Sequence, residues 1–309
     1  MRNMRHNHLA AAALHALTLA ALALTLACAS PSQPPQGGDS TCAYTDDYGT
    51  VATVPRHPRR IVSASPAVTE TLFALGAQGQ LAGRTDFCTY PPQASAIPSI
   101  GGISNLNVEK ILSLKPDLVI SGSMVPRQSV ETLNALGCPM VCVIEQTHFD
   151  SLYSNIAKVG RLAGLPERAD SLNRVLRARM DSVRAMLAAS QRQGGRAPTV
   201  YYVVGFGKGG NFTAGGNTFI NDIIRLAGGR NIAEGVTGWS YSIEALFKND
   251  PDYVVIRAED SAAFCAQAPY SQLRAVRQGH VVTVRDGLMD LQSPRNVDAV
   301  ALLACALAR

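Results

Sequence analysis

Few side chains in this sequence of 309 residues have the type and spacing for catalytic chemistry. The segment Gly205–Gly210 follows a predicted strand and matches G-x-G-x-x-G, a pattern typical of dinucleotide binding. In that fold the helix begins within the motif, so that its N-terminus can bind pyrophosphate. Here NFTAGGN intervenes and the helix can begin only near Asn217, which favours a loop lining a cleft over a nucleotide site.

Other catalytic and metal-binding patterns are weaker still. The sequence has no G-x-S-x-G segment for a nucleophilic serine. His57, His148 and His280 lie far apart in the sequence, which disfavours a zinc or manganese site built on histidines. Asp286 and Asp290 could form a carboxylate pair, but two acids in one loop more often orient a ligand or face solvent. We therefore expect a protein that is not an enzyme, with no catalytic cofactor and no resident metal.

The composition is that of a globular protein. With 47% hydrophobic and 17% charged residues, the chain is long enough for two domains of ordinary size. It has no Lys/Arg block and few aromatic residues, which disfavours a nucleic-acid partner. Removal of residues 1–27, which contain Arg2 and Arg5 and no acid, lowers the formal net charge from +5 to +3.

The N-terminus has the residue order of an export signal. Arg2 and Arg5 precede an apolar run, Leu9–Ala27, and Cys28 follows it directly. The next residues, SPSQPPQGGDS, are typical of a flexible tether. This order resembles a bacterial lipoprotein signal with Cys28 as the lipidated residue, and ordinary signal cleavage at Ala27-x-Ala29 is the alternative. We expect residues 1–28 to form the signal and the lipidation site, and residues 29–43 to form the tether. The protein is then exported to the periplasm or cell envelope and is anchored to a membrane by its lipid.

The remaining cysteines do not define a disulfide framework. An oxidising compartment permits pairing, but six cysteines allow fifteen pairings and their spacing is scattered. Those in apolar runs are expected to be small buried residues. The six are Cys42, Cys88, Cys138, Cys142, Cys265 and Cys305.

Strand and helix signals alternate after the tether. Near-continuous Val/Ile runs alternate with helical segments, a pattern typical of parallel sheets covered on both faces. Between two such regions, Pro166–Gln193 is predicted to be one long helix with an apolar stripe. The stripe consists of Leu172, Leu176, Met180, Val183 and Leu187. The prediction is an α/β fold of two Rossmann-like lobes with mainly parallel sheets, residues 44–149 and 194–309, joined by helices in residues 150–193 that include this one long backbone helix.

One segment occurs twice, once in each predicted lobe. NVEKILSLKPDLVIS begins at Asn107, and SIEALFKNDPDYVVIR begins at Ser242. Each copy has an N-cap residue, a glutamate two residues later, Pro-Asp and then a Val/Ile strand. A matched unit in each half predicts two lobes of similar construction that face each other across a cleft. Glu109 and Glu244 either stabilise the helix N-termini or form a two-point acidic footprint for arginines of another protein.

Taken together, these segments resemble the helical-backbone solute-binding proteins of ABC importers for cobalamin, haem and ferric siderophores, and most of all the cobalamin-binding members. The resemblance rests on RIVSASPAVTETLFALGA, TYPPQA, GGISNLNVEKILSLKPDLVIS, FTAGGNTFINDIIRLAGGRNI, PDYVVI and SPR, which cover nearly the whole chain from about Val54. It implies two lobes held by a rigid helix, modest closure on binding, and Glu109 and Glu244 as the residues that dock on the permease. It also implies a permease dimer with its ATPase as partner, and a receptor that acts as a monomer.

The resemblance places ligand contacts on five loops and on the residue that opens the first helix. The implied contact residues are Ser65, Phe87, Cys88, Tyr90, Gly102, Ile103, Ser104, Phe206, Phe212, Trp239, Tyr241, Asp286, Met289 and Asp290. Aromatic and apolar walls with a few polar groups suit a large, flat, amphipathic ligand, such as a planar macrocycle.

Three cargo classes follow from this resemblance. A corrinoid is preferred, although Ile103, Gly122 and Gly287 stand where cobalamin receptors would have an aromatic or polar side chain. Haem would need an axial ligand, and ferric siderophores would need arginines. The candidate haem ligands are Tyr90, Tyr241 and His148, and the candidate siderophore arginines are Arg84, Arg257 and Arg285.

The sequence therefore predicts a lipid-anchored receptor that delivers a corrinoid or an iron chelate to an ABC permease. An exported α/β enzyme with the same cleft, and a lobe pair that binds a partner without cargo, are the alternatives from other classes.

Overall fold

The computed structural model describes residues 40–191 and 196–308. The predicted signal, Cys28 and most of the tether lie outside the described residues. Residues 41–43, which the sequence places in the tether, are strand instead, because Thr41–Thr45 (β1) pairs antiparallel with Val51–Pro55 (β2). Within the described ranges, no helix is both long and apolar enough to cross a membrane.

The N-terminal lobe is built on a four-stranded parallel sheet. Its strands are Ile61–Ala64 (β3), Leu81–Arg84 (β4), Leu118–Ser121 (β5) and Met140–Cys142 (β6), in the order β4-β3-β5-β6. The helices that connect them are Pro66–Ala74 (α1), Val108–Ser113 (α2) and Arg127–Ala135 (α3), with 3-10 turns at Gln78–Gln80 and Pro92–Ala96. Every residue of β3, β5 and β6 is buried, as expected for parallel strands covered on both faces.

Two helices follow the first sheet, Ser151–Leu162 (α4) and Pro166–Gln191 (α5). The predicted long helix is confirmed as far as Gln191, and residues 192 and 193 lie outside the described ranges. At about 1.5 Å per residue, α5 is roughly 39 Å long. Its predicted stripe packs as expected, because Leu176, Met180 and Val183 are buried.

The C-terminal lobe repeats the architecture of the first. Its strands are Thr199–Val203 (β7), Arg230–Asn231 (β8), Tyr253–Arg257 (β9) and Val281–Val284 (β10), all parallel and in the order β10-β9-β7-β8. The helices are Phe219–Leu226 (α6), Ile243–Asn249 (α7), Ala258–Ala266 (α8), Arg274–Arg277 (α9) and Asn296–Leu307 (α10), with 3-10 turns at Gly207–Gly209 and Tyr270–Gln272.

The lobes are held together by α5 and by buried polar contacts. Helix α5 contacts α4 on one side and α10 on the other, so one rod supports both sheets. Gln292, 3% exposed, accepts hydrogen bonds from the Gln146 N–H (3.0 Å) and the Asn155 side chain (2.9 Å), and donates to the His148 carbonyl (2.8 Å). Since these partners come from the segment around the end of the first sheet, Gln292 ties the second lobe to the first.

The internal repeat is confirmed by the topology. Numbered within each lobe, both sheets have the strand order 2-1-3-4, and the repeated segment supplies the third strand of each. Asn107 and Ser242 cap α2 and α7 by accepting from the N–H three residues later, at 2.9 and 3.1 Å. The residues before each Pro-Asp, Lys115 and Asp250, both have left-handed backbones, with φ of 48° and 33°.

Candidate functional site

A cleft of about 800 Å³ lies between the lobes at the carboxyl ends of their parallel strands. This is the edge where ligands bind in open α/β sheets, because the loops of both sheets converge there. Five predicted contact residues of the N-terminal lobe and its loops line the cleft or its rim. Of these, Phe87, Gly102, Ile103 and Ser104 line the cleft itself, and Tyr90 lies beside it.

The wall from the N-terminal lobe is mainly apolar. Phe87, in the loop after β4, is 60% exposed, and Met124, after β5, is 64% exposed. Ile103 is nearly buried beneath them, at 7% exposure, and packs on the core of the lobe. Large apolar side chains that stay this exposed are candidates for ligand contact, because a ligand would remove their surface from water.

The wall from the C-terminal lobe combines one aromatic side chain with charged groups. Trp239, 47% exposed, lies in the loop before α7, where its carbonyl accepts from the Thr213 N–H at 2.8 Å. Asp286 and Asp290, both predicted, line the cleft from the loop after β10. Arg257, which the sequence suggested for an anionic ligand, also lines it at the end of β9.

An ion pair between the lobes lies at the cleft. Arg295 binds both carboxylate oxygens of Glu70, with Nε to Oε2 at 2.8 Å and a second contact from Nη2 to Oε1. The side chains are only 11% and 3% exposed. On its other side the Arg295 guanidinium lies over the Tyr90 ring, 3.9 Å from the centroid. The positive charge of Arg295 is therefore already compensated by the protein.

The second cleft arginine is also paired, whereas neither cleft aspartate forms an ion pair with another described residue. Arg257 binds Asp260 through Nη2 at 2.9 Å and lies 3.9 Å from Glu259. Asp290 accepts a hydrogen bond from the Tyr202 hydroxyl at 2.5 Å. Burial, helped by the nearby charge of Asp286, raises the pKa of Asp290, while Tyr202 and Arg257 oppose this. Asp286 is exposed, and within the described part of the chain it has no ion-pair partner.

Comparison with known proteins identifies this architecture. A family model described as periplasmic binding protein matches residues 61–288, which is most of the chain. The chain belongs to this family.

Three relatives show the range of the similarity. A cobalamin-binding protein of Halobacterium salinarum is 34% identical over 313 residues, covering 94% of this chain and 83% of the relative. An uncharacterized ABC transporter substrate-binding lipoprotein of Bacillus subtilis is 27% identical over 265 residues, covering 82% and 81%. The crystal structure of a periplasmic haem-binding protein from Pseudomonas aeruginosa superposes with a TM-score of 0.74 at 30% identity, covering 81% of this chain and 92% of that one.

Membership settles the broad class of this protein. The chain is a periplasmic binding protein of the cobalamin, haem and siderophore group rather than an enzyme, and this family implies an extracytoplasmic location. The G-x-G-x-x-G segment accordingly contains only the 3-10 turn Gly207–Gly209, and the next α-helix, α6, begins at Phe219. We expected this segment to form a loop lining the cleft, but its glycines do not line it. Only the preceding residue, Val204, does so.

Several predicted contact residues of this periplasmic binding protein lie in the core instead of the cleft. The Cys88 thiol, 1% exposed, lies between the Thr69 and Thr85 hydroxyls at 3.1 and 3.2 Å. Met289 is fully buried, and Ser65 is 3% exposed at the N-cap of α1.

The predicted aromatic residues Phe206, Phe212 and Tyr241 also lie outside the cleft lining. Phe206 packs edge-on against Phe264 and Tyr270. Phe212 forms bridges that hold its loop to the neighbouring one. The Tyr241 hydroxyl donates to the Ile232 carbonyl at 3.2 Å, and the ring is 8% exposed.

Three of the candidate haem and siderophore residues, His148, Arg84 and Arg285, do not line the cleft. His148 is 80% exposed and lies 3.8 Å from Asp222. The Arg84 guanidinium donates to the carbonyls of Ala94 (3.2 Å) and Thr85 (2.9 Å). Arg285 lines a separate cavity behind Tyr90.

The two glycines that depart from cobalamin receptors have steric explanations. A Cβ on Gly122 would lie 2.8 Å from the Ser65 hydroxyl and 2.9 Å from a Glu145 carboxylate oxygen. Gly287 lines the cleft with φ of 69°, and a Cβ there would lie 3.0 Å from Leu291. A larger residue at either position would need its neighbours to move.

Sequence reasoning missed part of the cleft lining. The missed residues are Pro66, Glu70, Thr89, Asn105, Met124, Val204, Ile220, Leu291 and Arg295. Asn105 had a signal, since it adjoins the predicted Gly102–Ser104 segment, and Arg295 belongs to the SPR segment that carried the resemblance. Glu70 had none, because a glutamate within a helix is ordinarily a surface residue.

Both glutamates singled out by the repeat are exposed. Glu109 lies in the first turn of α2 and Glu244 in the first turn of α7. Neither forms an ion pair or side-chain hydrogen bond with another described residue, so both carboxylates face solvent. Each helix follows directly on a loop that lines the cleft.

Proposed function

We propose that this protein is an exported lipoprotein that binds a corrinoid in the cleft between its lobes and delivers it to an ABC permease. The observation that carries the choice of ligand is the charge state of the cleft. Both cleft arginines are paired with protein carboxylates, whereas neither Asp286 nor Asp290 lies within ion-pair distance of a cation among residues 40–191 and 196–308. The cleft therefore offers hydrogen-bond acceptors, rather than free cations, to a ligand.

This pattern suits a ligand rich in amide groups. The primary amides around a corrin ring donate N–H groups, which two carboxylates can accept, and a hydrogen bond to a charged group contributes about 1.5–3 kcal/mol. The propionates of haem and the anionic groups of many ferric siderophores would instead meet uncompensated negative charge. Releasing Arg295 to bind them would leave the buried Glu70 carboxylate unpaired, which is costly. The Arg257–Asp260 pair, with about one-third of each side chain exposed, would be released at a smaller cost.

The apolar walls supply the remaining binding surface. Phe87 and Trp239 line the cleft from opposite lobes, and both side chains are exposed. A flat macrocycle between them would bury apolar area on both of its faces, at about 25 cal/mol per Å². The 34% identity with a cobalamin-binding protein supports the same ligand class.

Haem is the second candidate, because a haem-binding protein of 30% identity shares the fold. It is less well supported by the cleft, since none of Tyr90, Tyr241 and His148 lines it as an axial ligand would.

Calorimetric titration of the purified protein with cyanocobalamin, hemin and a panel of ferric siderophores tests the ligand. We expect tight binding of cyanocobalamin, and about a tenfold loss of affinity in Asp286→Asn, since one charged acceptor is removed. Asp170→Asn, which removes an exposed carboxylate on α5, is the matched control and should bind normally. Tight binding of hemin or a siderophore without any heat from cyanocobalamin would overturn the choice of corrinoid.

The anchor and the permease contacts are also part of the proposal. Lipidation at Cys28 would be shown by incorporation of labelled palmitate that is lost in Cys28→Ser.

Glu109 and Glu244 are the proposed docking residues for the permease dimer and its ATPase partner, and the receptor is proposed to act as a monomer. The two glutamates are exposed and occupy equivalent positions in the two lobes. These positions support the docking role, because arginines on a two-fold permease could pair with both glutamates at once.

A further inference from the structure

The N-terminal lobe has a cluster of basic side chains at the end of its sheet opposite the cleft. We call this cluster the basic end. It consists of Arg56, His57, Arg59, Arg60, Lys115 and Arg161, all of them exposed. Arg56, His57 and Arg161 line one shallow cavity beside β1 and β2, and the Arg60 guanidinium donates to the carbonyls of Leu114 and Lys115. The six residues therefore lie at the same end of the lobe, before β3 and β5 and at the end of α4.

The charge of the basic end is not compensated by the protein. Among the described residues, none of its members lies within ion-pair distance of a carboxylate. Asp117 lies at this surface, but its oxygens accept from the main-chain N–H groups of Arg59 (2.7 Å) and Arg60 (3.0 Å) rather than from their guanidinium groups. Glu167, in the first turn of α5, is exposed and likewise forms no ion pair within the described ranges.

The position of the basic end relative to the start of the described chain is informative. The Ser40 carbonyl accepts a hydrogen bond from the Arg56 N–H at 2.9 Å, so the tether joins the lobe at this surface. The twelve residues from Cys28 to Ser40 span at most about 40 Å when extended. If Cys28 carries the anchor, this length of chain sets the largest distance between Ser40 and the lipid-bearing residue.

We propose that the basic end binds the anionic phospholipid headgroups of the membrane to which the protein is anchored. The choice of a membrane as partner rests on the lipid anchor of the proposed function. It also rests on the form of the surface, where long exposed side chains are spread over the loop before β3, the end of α2 and the end of α4. Such a surface matches an extended layer of negative charge, because no buried donors converge on a single anion.

The contact sets the orientation of the receptor. Since the basic end lies at the amino ends of the strands and the cleft at their carboxyl ends, binding turns the cleft away from the membrane. The resting receptor then presents its open cleft to the ligand, and it must leave the lipid surface before the cleft side can meet the permease.

Vesicle co-sedimentation of the exported chain carrying Cys28→Ser tests this inference without the anchor. Vesicles of equal parts phosphatidylcholine and phosphatidylglycerol are compared with phosphatidylcholine alone in low-salt buffer. We expect binding only to the anionic vesicles, and its loss as salt is added, because exposed charges are screened over about 10 Å at 0.1 M salt. The variant Arg56→Gln/Arg59→Gln/Lys115→Asn should bind about 100-fold more weakly, since each basic side chain near an anionic surface contributes about fivefold. Asparagine is chosen at Lys115 because it tolerates the left-handed backbone there.

The matched control is Arg127→Gln/Arg174→Gln/Arg225→Gln, which removes three exposed positive charges elsewhere. This control should bind like the parent chain. Equal weakening in both triple variants would show that only net charge matters and would overturn the inference, as would equal binding to neutral vesicles. Competition by millimolar inorganic phosphate would replace the membrane with a soluble anion as partner. Cyanocobalamin titration of the same variants is unaffected by any of these outcomes, so this inference and the proposed function can fail separately.

Discussion

The two lobes share a strand order and a helix–Pro-Asp–strand unit, but they compensate charge differently at the amino ends of their strands. In the C-terminal lobe, Asp252 accepts from Arg196 and Arg274 as well as from the Thr199 N–H. In the N-terminal lobe, the equivalent Asp117 binds main-chain N–H groups only. The aspartate of the Pro-Asp unit therefore pairs with arginines in the C-terminal lobe, whereas its equivalent in the N-terminal lobe leaves the nearby cations without that partner.

The lobes also contribute different chemistry to the cleft. The N-terminal lobe supplies mainly apolar groups such as Phe87 and Met124, whereas Asp286, Asp290 and Arg257 come from the C-terminal lobe. A duplicated scaffold therefore fixes where the strand ends and their loops lie, while the loop residues decide what each end can bind.

The largest expected effect concerns the position that the lobes have in common. Reversal of Glu109 or Glu244 to Lys should reduce ligand uptake at least about tenfold each, because a repulsive pair replaces an attractive one at the permease. The double reversal should abolish uptake, while calorimetric affinity for the ligand stays unchanged. Transport of labelled cyanocobalamin into cells measures the effect.

The control places one reversed acid in each lobe away from these helices. Glu131→Lys/Glu234→Lys changes two exposed carboxylates, 43% and 54% exposed, and should leave uptake near normal. If one lobe's glutamate proves dispensable, the two-point footprint is wrong and docking depends on a single lobe.

A smaller effect tests the contrast between the two Pro-Asp units. Asp252→Asn should lower the free energy of unfolding by roughly 2–3 kcal/mol, because it removes charged acceptors of two arginines, whereas Asp117→Asn should cost about 1 kcal/mol. Urea denaturation of both variants measures the difference. Equal losses would mean that the arginine contacts of Asp252 contribute nothing measurable.

The pH dependence of this contrast has a definite sign. Although burial opposes it, hydrogen bonds from Arg196, Thr199 and Arg274 hold the pKa of Asp252 well below its usual range. The stability that Asp252 contributes is therefore complete above its unfolded pKa of about 3.9 and is lost as the pH falls towards the folded value. The stability gap between the parent protein and Asp252→Asn should begin to narrow below about pH 4 and continue to narrow as the pH falls towards the folded pKa. A gap that does not narrow with falling pH would contradict this account.

The smallest expected effect concerns the charged wall of the cleft. Because burial raises the pKa of Asp290, its carboxylate becomes protonated at a higher pH than an ordinary aspartate and then loses an acceptor for ligand N–H groups. Affinity for cyanocobalamin should fall a few-fold as the pH is lowered towards the raised pKa of Asp290. Asp290→Asn should bind a few-fold more weakly with a flatter pH profile, whereas Phe87→Ala should weaken binding equally at every pH. An unchanged profile in Asp290→Asn would assign the titration to another group.

Much of this architecture was readable in the sequence because it depends on local patterns. The Val/Ile runs gave the buried strands, the spacing of Leu176, Met180 and Val183 predicted the long helix, and the repeat predicted two similar lobes. Strand β4 lacks such a run, since Leu81–Arg84 contains alanine and glycine, and β1 was hidden within the expected tether.

The cleft was only partly predictable for a different reason. Sequence identifies which loops reach the strand ends, and Gly102–Ser104, Trp239 and Asp286 do line the cleft, while their contact with a ligand stays a prediction. It does not give the direction of a side chain, so Tyr241 and Met289 were expected in the cleft and lie in the core. The pairing of Glu70 with Arg295 joins residues 225 positions apart, and no local pattern carries that information.

The short connections between the cleft and the docking helices have a consequence for how the permease can sense occupancy. With α5 and the buried Gln292 side chain bridging the lobes, a large swing of one lobe against the other is disfavoured. Yet Asn105 precedes Glu109 by only four residues, and Trp239 precedes Glu244 by five. A bound ligand that displaces either loop would therefore also displace the start of the adjoining helix. Ligand occupancy could then be transmitted to the docking glutamates over four or five residues, without a hinge motion of the whole lobe.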